Sequence, residues 1–318
     1  MNFCRSAYVV FCTMLATLSG CHKGTPAKNT QPAKVIRRAY ATPRKSSPLP
    51  SDKAQPTITI WIHGSHIIRP LAEFVHGAPD GLHKIGDLPD YYRIKTLTQT
   101  LSDYDSVRFG QEHFYVFGWP GELDFSLRER QARLLFIEIK KLVSDYRIRY
   151  GITPEIRLIT HSHGGNVALN VAKVKDPDVD FAITELILLA CPIQKATSHL
   201  ARDAFFTRVY SIYATLDMIQ LLDPQGMYED KRNLTFSERR LPMSDNVRQV
   251  CLRINGHNLL HLSFITKGFV KVLPTVLDEI DRWEQEEAST SQPKTERVLS
   301  LRTRKPLISI KDRSNKTA

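Results

Sequence analysis

Cysteine is scarce in this chain, with five in 318 residues. Cys4, Cys12 and Cys21 fall in the first 21 residues, which leaves Cys191 and Cys251 for the body of the protein. Both sit in predicted strands, 186–191 and 247–254, and a further predicted strand, 209–213, lies between them in sequence. If the three are sheet neighbours in that order, the cysteines are about 9–10 Å apart, twice the spacing of paired strands and too far for a bridge. Two core thiols are expected. Metal-ligand patterns are also missing. No His-x-x-x-His pair falls on a helix with a carboxylate partner, His257 and His261 being separated across a turn, so neither a metal nor another cofactor is expected. There is no internal repeat. Long apolar runs are nearly absent too, and the one at residues 7–18 is too short for a stop-transfer helix.

What the chain has in excess is positive charge, a formal +11. The basic residues concentrate in two flanks, 23–53 and 295–318, which are rich in Pro, Ser, Thr, Lys and Arg and poor in apolar residues. Such segments bury too little surface to fold, so they read as a solvated tether and tail rather than a nucleic-acid-binding face. The sharper alternative is adhesion to an anionic surface. The expected organisation is a leader at 1–20, a basic tether at 21–55, a folded domain at 56–287 and a basic disordered tail at 288–318.

The leader carries Arg5, then the apolar run, then Leu18-Ser19-Gly20-Cys21. This resembles the lipobox of bacterial lipoproteins, in which the signal peptide is cut before a cysteine that is then lipidated. The resemblance implies a lipid on Cys21, a membrane anchor, and a domain outside the cytoplasm in the bacterial cell envelope, facing the periplasm or cell surface. His22 rather than aspartate follows the cysteine, which favours the outer membrane over the inner.

Between 56 and 287 the pattern alternates strand and helix. Strands are predicted at 57–62, 114–117, 156–160, 186–191, 209–213 and 247–254. Helices are predicted at 126–150, 165–173 and 262–283. Alternation of this kind specifies an α/β fold, a mostly parallel central sheet with helices on both faces.

The most informative stretch is Ile156 to Gly165. An apolar run leads into His161-Ser162-His163-Gly164-Gly165 and then a helical pattern, so Ser162 sits at the apex of a strand–turn–helix. A helix start aims unpaired N–H groups and its positive dipole end at that apex, which suits a serine nucleophile whose attack creates an oxyanion.

These residues resemble the α/β-hydrolase superfamily over most of 56–287. His63-Gly64 ends an early strand like the family's HG dipeptide. Phe117-Gly118-Trp119-Pro120-Gly121 precedes a helix carrying Arg130, Ala132 and Leu135, as in several lipase-like members. The Ser162 turn matches Gly-x-Ser-x-Gly except that Thr160 replaces the first glycine, where its Cβ crowds the turn or must pack sideways. The resemblance implies a membrane-anchored serine esterase or lipase acting through a Ser-His-Asp triad. Ser162 is the nucleophile, Asp217 the acid with Asp223 as competitor, and His257 the base with His261 as competitor. The backbone N–H groups of His163 and Ser65 would hold the oxyanion. The substrate would be a small ester or a lipid, and in the long connection 65–113, Ile67, Ile68, Leu71, Phe74 and Val75 are candidates for its pocket. Two other readings stay open. One is a non-catalytic scaffold of this fold that binds a partner at the envelope, and the other is a basic lipoprotein whose arms bind an anionic polymer.

Overall fold

The computed structural model describes residues 34–36, 56–65, 77–221, 223, 237–287 and 296–303. The leader and Cys21 lie outside them. Ten strands are described: β1 (Lys34–Ile36), β2 (Thr57–Ile62), β3 (Gly81–Lys84), β4 (Phe114–Gly118), β5 (Glu155–His161), β6 (Ile183–Leu189), β7 (Phe206–Tyr213), β8 (Val247–Ile254), β9 (His257–Asn258) and β10 (Glu296–Leu301). They form one sheet in the order β1-β10-β8-β7-β6-β5-β2-β4-β3, with β9 folded back on β8. Only β3 and β9 run antiparallel to their partners. The longer helices are α1 (Arg93–Tyr104), α2 (Phe125–Tyr150), α3 (Gly164–Val174) and α4 (Leu273–Glu287).

The strands are near-continuous apolar runs because both faces of the sheet are covered. Alternate side chains divide between two cores. Trp61, Ile159, Ile187 and Leu189 pack with Ile94, Leu97 and Leu101 of α1 and Val276, Leu277 and Ile280 of α4. Their neighbours Ile60, Ile62, Leu158, Leu186 and Leu188 pack on the other face with Ala132, Leu135 and Ile139 of α2 and Val167 and Leu169 of α3. The expected mostly parallel sheet with helices on both faces is therefore the architecture the chain adopts.

Helix α2 begins where the Asp124 side chain accepts from the Leu127 N–H, and it ends at Gly151, whose φ of 69° suits glycine. The single helix expected at 262–283 is divided. Thr266 caps a separate short turn at Lys267–Val270, and Pro274, with no N–H to donate, sits at the start of α4. Cys191 and Cys251 are free, buried thiols, with β7 between the strands β6 and β8.

The sheet positions the site through its strand order. From β2 the chain goes to one side to form β4, then crosses back to form β5 on the other side of β2, followed by β6, β7 and β8 in sequence. The crevice at such a reversal, beyond the carboxyl ends of the strands, is where open α/β sheets bind ligands. Ile62 pairs with Thr160, so His63-Gly64 and His161-Ser162 emerge side by side at that edge. The opposite end of the sheet is tied by a buried ion pair between the cross-strand partners Arg157 and Glu185, with Arg208 joining it.

The flanks differ from the expected tether and tail. Lys34–Ile36 and Glu296–Leu301 are strands, β10 pairing in parallel with β8 and β1 with β10. The physical reason is the edge that β8 would otherwise leave open. Leu299 and Leu301 of β10 are buried in the same core as Val250, Leu252 and Ile254 of β8. Burying two leucines contributes about 3–6 kcal/mol. A chain ending at Glu287 is therefore expected to show a clearly lower urea midpoint than the full chain; an unchanged midpoint would show that β10 contributes nothing to stability.

Candidate active site

Ser162 follows β5 directly and adopts a φ of 52°, one of three non-glycine residues with positive φ among those described. A serine in this region costs about 1–2 kcal/mol, which the surroundings must impose. They do so from both sides. The Ser162 N–H donates to Leu189 O at 2.9 Å, and its carbonyl accepts from Gly165 N at 3.0 Å. Gly64 presses on it from the end of β2: a Cβ added there would lie 2.8 Å from Ser162 Cβ. A Cβ at Gly164 would lie 2.4 Å from His63 O, and one at Gly165 would lie 2.5 Å from Cys191 Sγ. The small residues of the motif are needed for this close approach. Thr160 resolves the crowding sideways. Fully buried, it donates its hydroxyl to Ile187 O on β6 at 3.2 Å.

The HG dipeptide and the Gly-Trp-Pro segment hold one another. His63 Nε2 accepts from the Trp119 N–H at 3.1 Å, which places the ring proton on Nδ1, where it donates to Gly64 O at 2.8 Å. The Trp119 indole donates back to His63 O at 2.8 Å, and the two rings stack. Ser65 continues from this turn. The apolar pocket candidates Ile67, Ile68, Leu71, Phe74 and Val75 lie outside the described residues.

Asp217 is buried just beyond β7. Its Oδ1 accepts from the N–H groups of Ile219 (3.1 Å) and Gln220 (3.3 Å), the start of a one-turn helix, so it also serves as a helix cap. Its Oδ2 lies 2.9 Å from Nδ1 of His261. The pairing that the sequence suggested for His257 is thus made by its competitor. The reason lies in the turn after β8. Asn255 and Gly256 both have positive φ, 54° and 80°, the conformation of a tight hairpin, and they fold His257 back to pair with Ile254. His257 is exposed there, and four residues later the chain enters the 3-10 turn His261–Ile265, in which His261 is buried. Asn-Gly after a strand is a hairpin signature, and that signal could have identified the displacement from sequence.

His161 secures the loop that carries His261. Its Nε2 donates to His261 O at 3.1 Å, and the two rings lie 4.8 Å apart, tilted. Asp223, the other acid candidate, belongs to a different histidine. Its Oδ1 lies 3.3 Å from His163 Nε2, while its Oδ2 accepts from Gln194 Nε2 (2.6 Å) and the Ser237 hydroxyl (2.9 Å). Burial lowers the His163 pKa below its ordinary value, although Asp223 pulls the other way. Burial alone would raise the Asp223 carboxyl, but the facing His163 and the donors Gln194 and Ser237 outweigh it and hold the group below the usual carboxylate range. Among the described residues no group of three or more His, Cys, Asp or Glu is placed to hold a metal ion.

No family model matches the chain, and no curated protein matches it. Solved structures similar to it include an esterase from the archaeon Pyrobaculum calidifontis, at 12% identity over 73% of this chain and 76% of that one, with a TM-score of 0.37. A thermostable esterase from Pseudomonas putida aligns at 11% identity over 80% of this chain and 66% of that one, TM-score 0.29. Lipase B of Aspergillus fumigatus aligns at 10% identity over 69% of this chain, TM-score 0.33, and the aligned region spans about half (51%) of that enzyme. Likenesses at this level carry no weight for function, which rests on the site itself.

The lowered His163 pKa has a definite sign. The unfolded chain takes up a proton below about pH 6.5, whereas the folded chain resists it, so stability is full above that value and falls as the pH drops through it. The lowered Asp223 pKa adds a further loss, beginning only below about pH 4. Urea unfolding between pH 7 and pH 5 is expected to show this decline, and His163→Gln to flatten it by up to about 1.4 kcal/mol per pH unit. An equal slope in the variant would assign the decline to other groups.

Proposed function

We propose that the protein is a serine hydrolase that cleaves esters, with Ser162 as nucleophile, His261 as base and Asp217 as acid. The observation that carries this is the buried Asp217–His261 pair, arising from the loops after β7 and β8, at the same sheet edge as the positive-φ Ser162 turn. In the proposed reaction Asp217 holds the Nδ1 proton of His261, which leaves Nε2 to take the Ser162 hydroxyl proton as Oγ attacks the ester carbonyl. The oxyanion forms against the N–H of His163, which lies at the start of α3, and that of Ser65. Each such donor is typically worth about 3 kcal/mol in the transition state. His261 then gives its proton to the leaving alcohol. Water, deprotonated by the same ring, releases the acid from the acyl-enzyme.

An apolar acyl group or lipid is the favoured substrate. Leu216 and Met218 flank Asp217, Leu260 and Leu262 flank His261, and all four are exposed. All four are next in sequence to the two members of the Asp217–His261 hydrogen bond. Exposed apolar side chains this close in sequence to the proposed acid and base favour an apolar ligand or lipid. The proposed lipid anchor at Cys21 would hold such a site close to a membrane of the cell envelope.

Two experiments test this. The full chain should react with a fluorophosphonate probe and hydrolyse p-nitrophenyl esters. Ser162→Ala should abolish both, His261→Ala should cut turnover about a thousandfold or more, and His257→Ala should leave it within twofold of wild type. Turnover that survives Ser162→Ala would overturn the hydrolase proposal, and loss with His257→Ala alone would overturn the choice of base. Separately, Cys21→Ser should abolish metabolic labelling by palmitate in a bacterial host; labelling that persists would remove the anchor.

A further inference from the structure

The site contains a second buried His–Asp pair, and the reaction outlined above does not use it. His163, the residue after the nucleophile, is buried, and both its ring nitrogens are occupied. Nδ1 faces the Asn166 side-chain amide at 3.3 Å, and Nε2 faces Asp223 Oδ1 at 3.3 Å. The amide nitrogen of Asn166 donates to Pro192 O at 2.9 Å, and its oxygen accepts from the Thr197 hydroxyl, so the amide cannot turn. His163 Nδ1 is therefore an acceptor, and its proton sits on Nε2, directed at Asp223. On the far side, Asp223 Oδ2 accepts from Ser237 and from Gln194, and Gln194 Oε1 accepts from the fully buried Arg128 of α2 at 3.2 Å. The result is a continuous buried line from α2 through Asp223 to the first turn of α3. The carboxylate, the two amides and the imidazole of this line are each hydrogen-bonded or paired, which makes it rigid.

A ring with both nitrogens engaged cannot serve as a base toward substrate, so His163 is not an alternative to His261. Its backbone is what matters. Its φ and ψ of −64° and −12° set the direction of the N–H that begins α3 beside Ser162. We propose that Asp223 is a positioning residue: by clamping the His163 side chain through Ser237, Gln194 and Arg128, it fixes the His163 peptide as an oxyanion donor. This rests on the serine hydrolase proposal and extends it to a residue outside the triad. An oxyanion donor acts only once charge has developed, so loosening it lowers kcat and leaves KM nearly unchanged.

The test uses the full chain, p-nitrophenyl butyrate and phenylboronic acid. Boron accepts the Ser162 oxygen while the hydroxyl proton passes to His261, giving a tetrahedral anion that reports on oxyanion binding. Asp223→Asn is expected to lower kcat about 10- to 100-fold and to weaken phenylboronic acid inhibition by a similar factor, with KM within twofold. Ser237→Ala, a gentler change on the same carboxylate, should act in the same direction by about two- to tenfold. It carries the test if Asp223→Asn does not fold by thermal melt. A wild-type chain that neither labels with fluorophosphonate nor turns over overturns the hydrolase proposal and this one together. An active wild type, with unchanged kcat and boronate affinity in the folded variants, overturns this one alone. A rise in KM with kcat unchanged also overturns it, because that would place Asp223 in substrate binding.

Discussion

The site depends on a contact between two stretches of backbone. The start of α3 lies so close to the end of β2 that the position of a Gly164 Cβ falls 2.4 Å from His63 O, and Gly64 in turn leaves no room beside Ser162. No side chain fits between these segments. The turn after β5 is consequently sharp, Ser162 is forced to positive φ, and the first N–H groups of the helix come to the carboxyl edge of the sheet. The strain in Ser162 is offset by hydrogen bonds to Leu189 and Gly165 and by the packing of β2 against β5. Thr160 does not disturb this contact, because its branched side chain is turned toward β6 and its hydroxyl finds a carbonyl there.

Around this contact the protein buries four histidines and two aspartates, which would be destabilising if any were left without partners. Each is matched. His63 is held by Trp119 and Gly64, His161 by the His261 carbonyl, His163 by Asn166 and Asp223, and His261 by Asp217. The two carboxylates are separated by assignment to different histidines. Asp217 serves the histidine beyond β8, and Asp223 serves the one beside Ser162. Burial works against a positive charge on His163, and Asp223 pulls the other way.

Much of the fold was legible in the residues. The six strands expected from β-branched and apolar runs are present within a few residues of their expected bounds, α2 starts within a residue of its expected start and ends at Gly151, and α3 begins at the small residues after Ser162. Ser162 and the positions of His163 and Gly64 around it could be read because strand, turn and helix are local patterns. What escaped was of a different kind. β10 looks like a tail because its charge and short length hide two leucines that matter only once β8 presents an open edge. α1, at Arg93–Tyr104, lay inside a long connection that carried no boundary signal strong enough to separate it. The break before α4 came from Thr266 and Pro274, whose capping preferences compete with an apolar periodicity that continues straight through them.

The alternation of strand and helix, the Ser162 turn and the set of acids and histidines around it are legible in the residues alone, because each depends on neighbours within a few residues. The tertiary structure decided which of those groups meet. His261 rather than His257 reaches Asp217, because a two-residue turn returns His257 to β8, and Asp223 belongs to His163, because Gln194 and Ser237 converge on it from distant parts of the chain. Spacing along the chain cannot determine such pairings. They follow from the order of strands in the sheet, which brings residues 44 and 60 positions apart, Asp217 with His261 and His163 with Asp223, within hydrogen-bonding range.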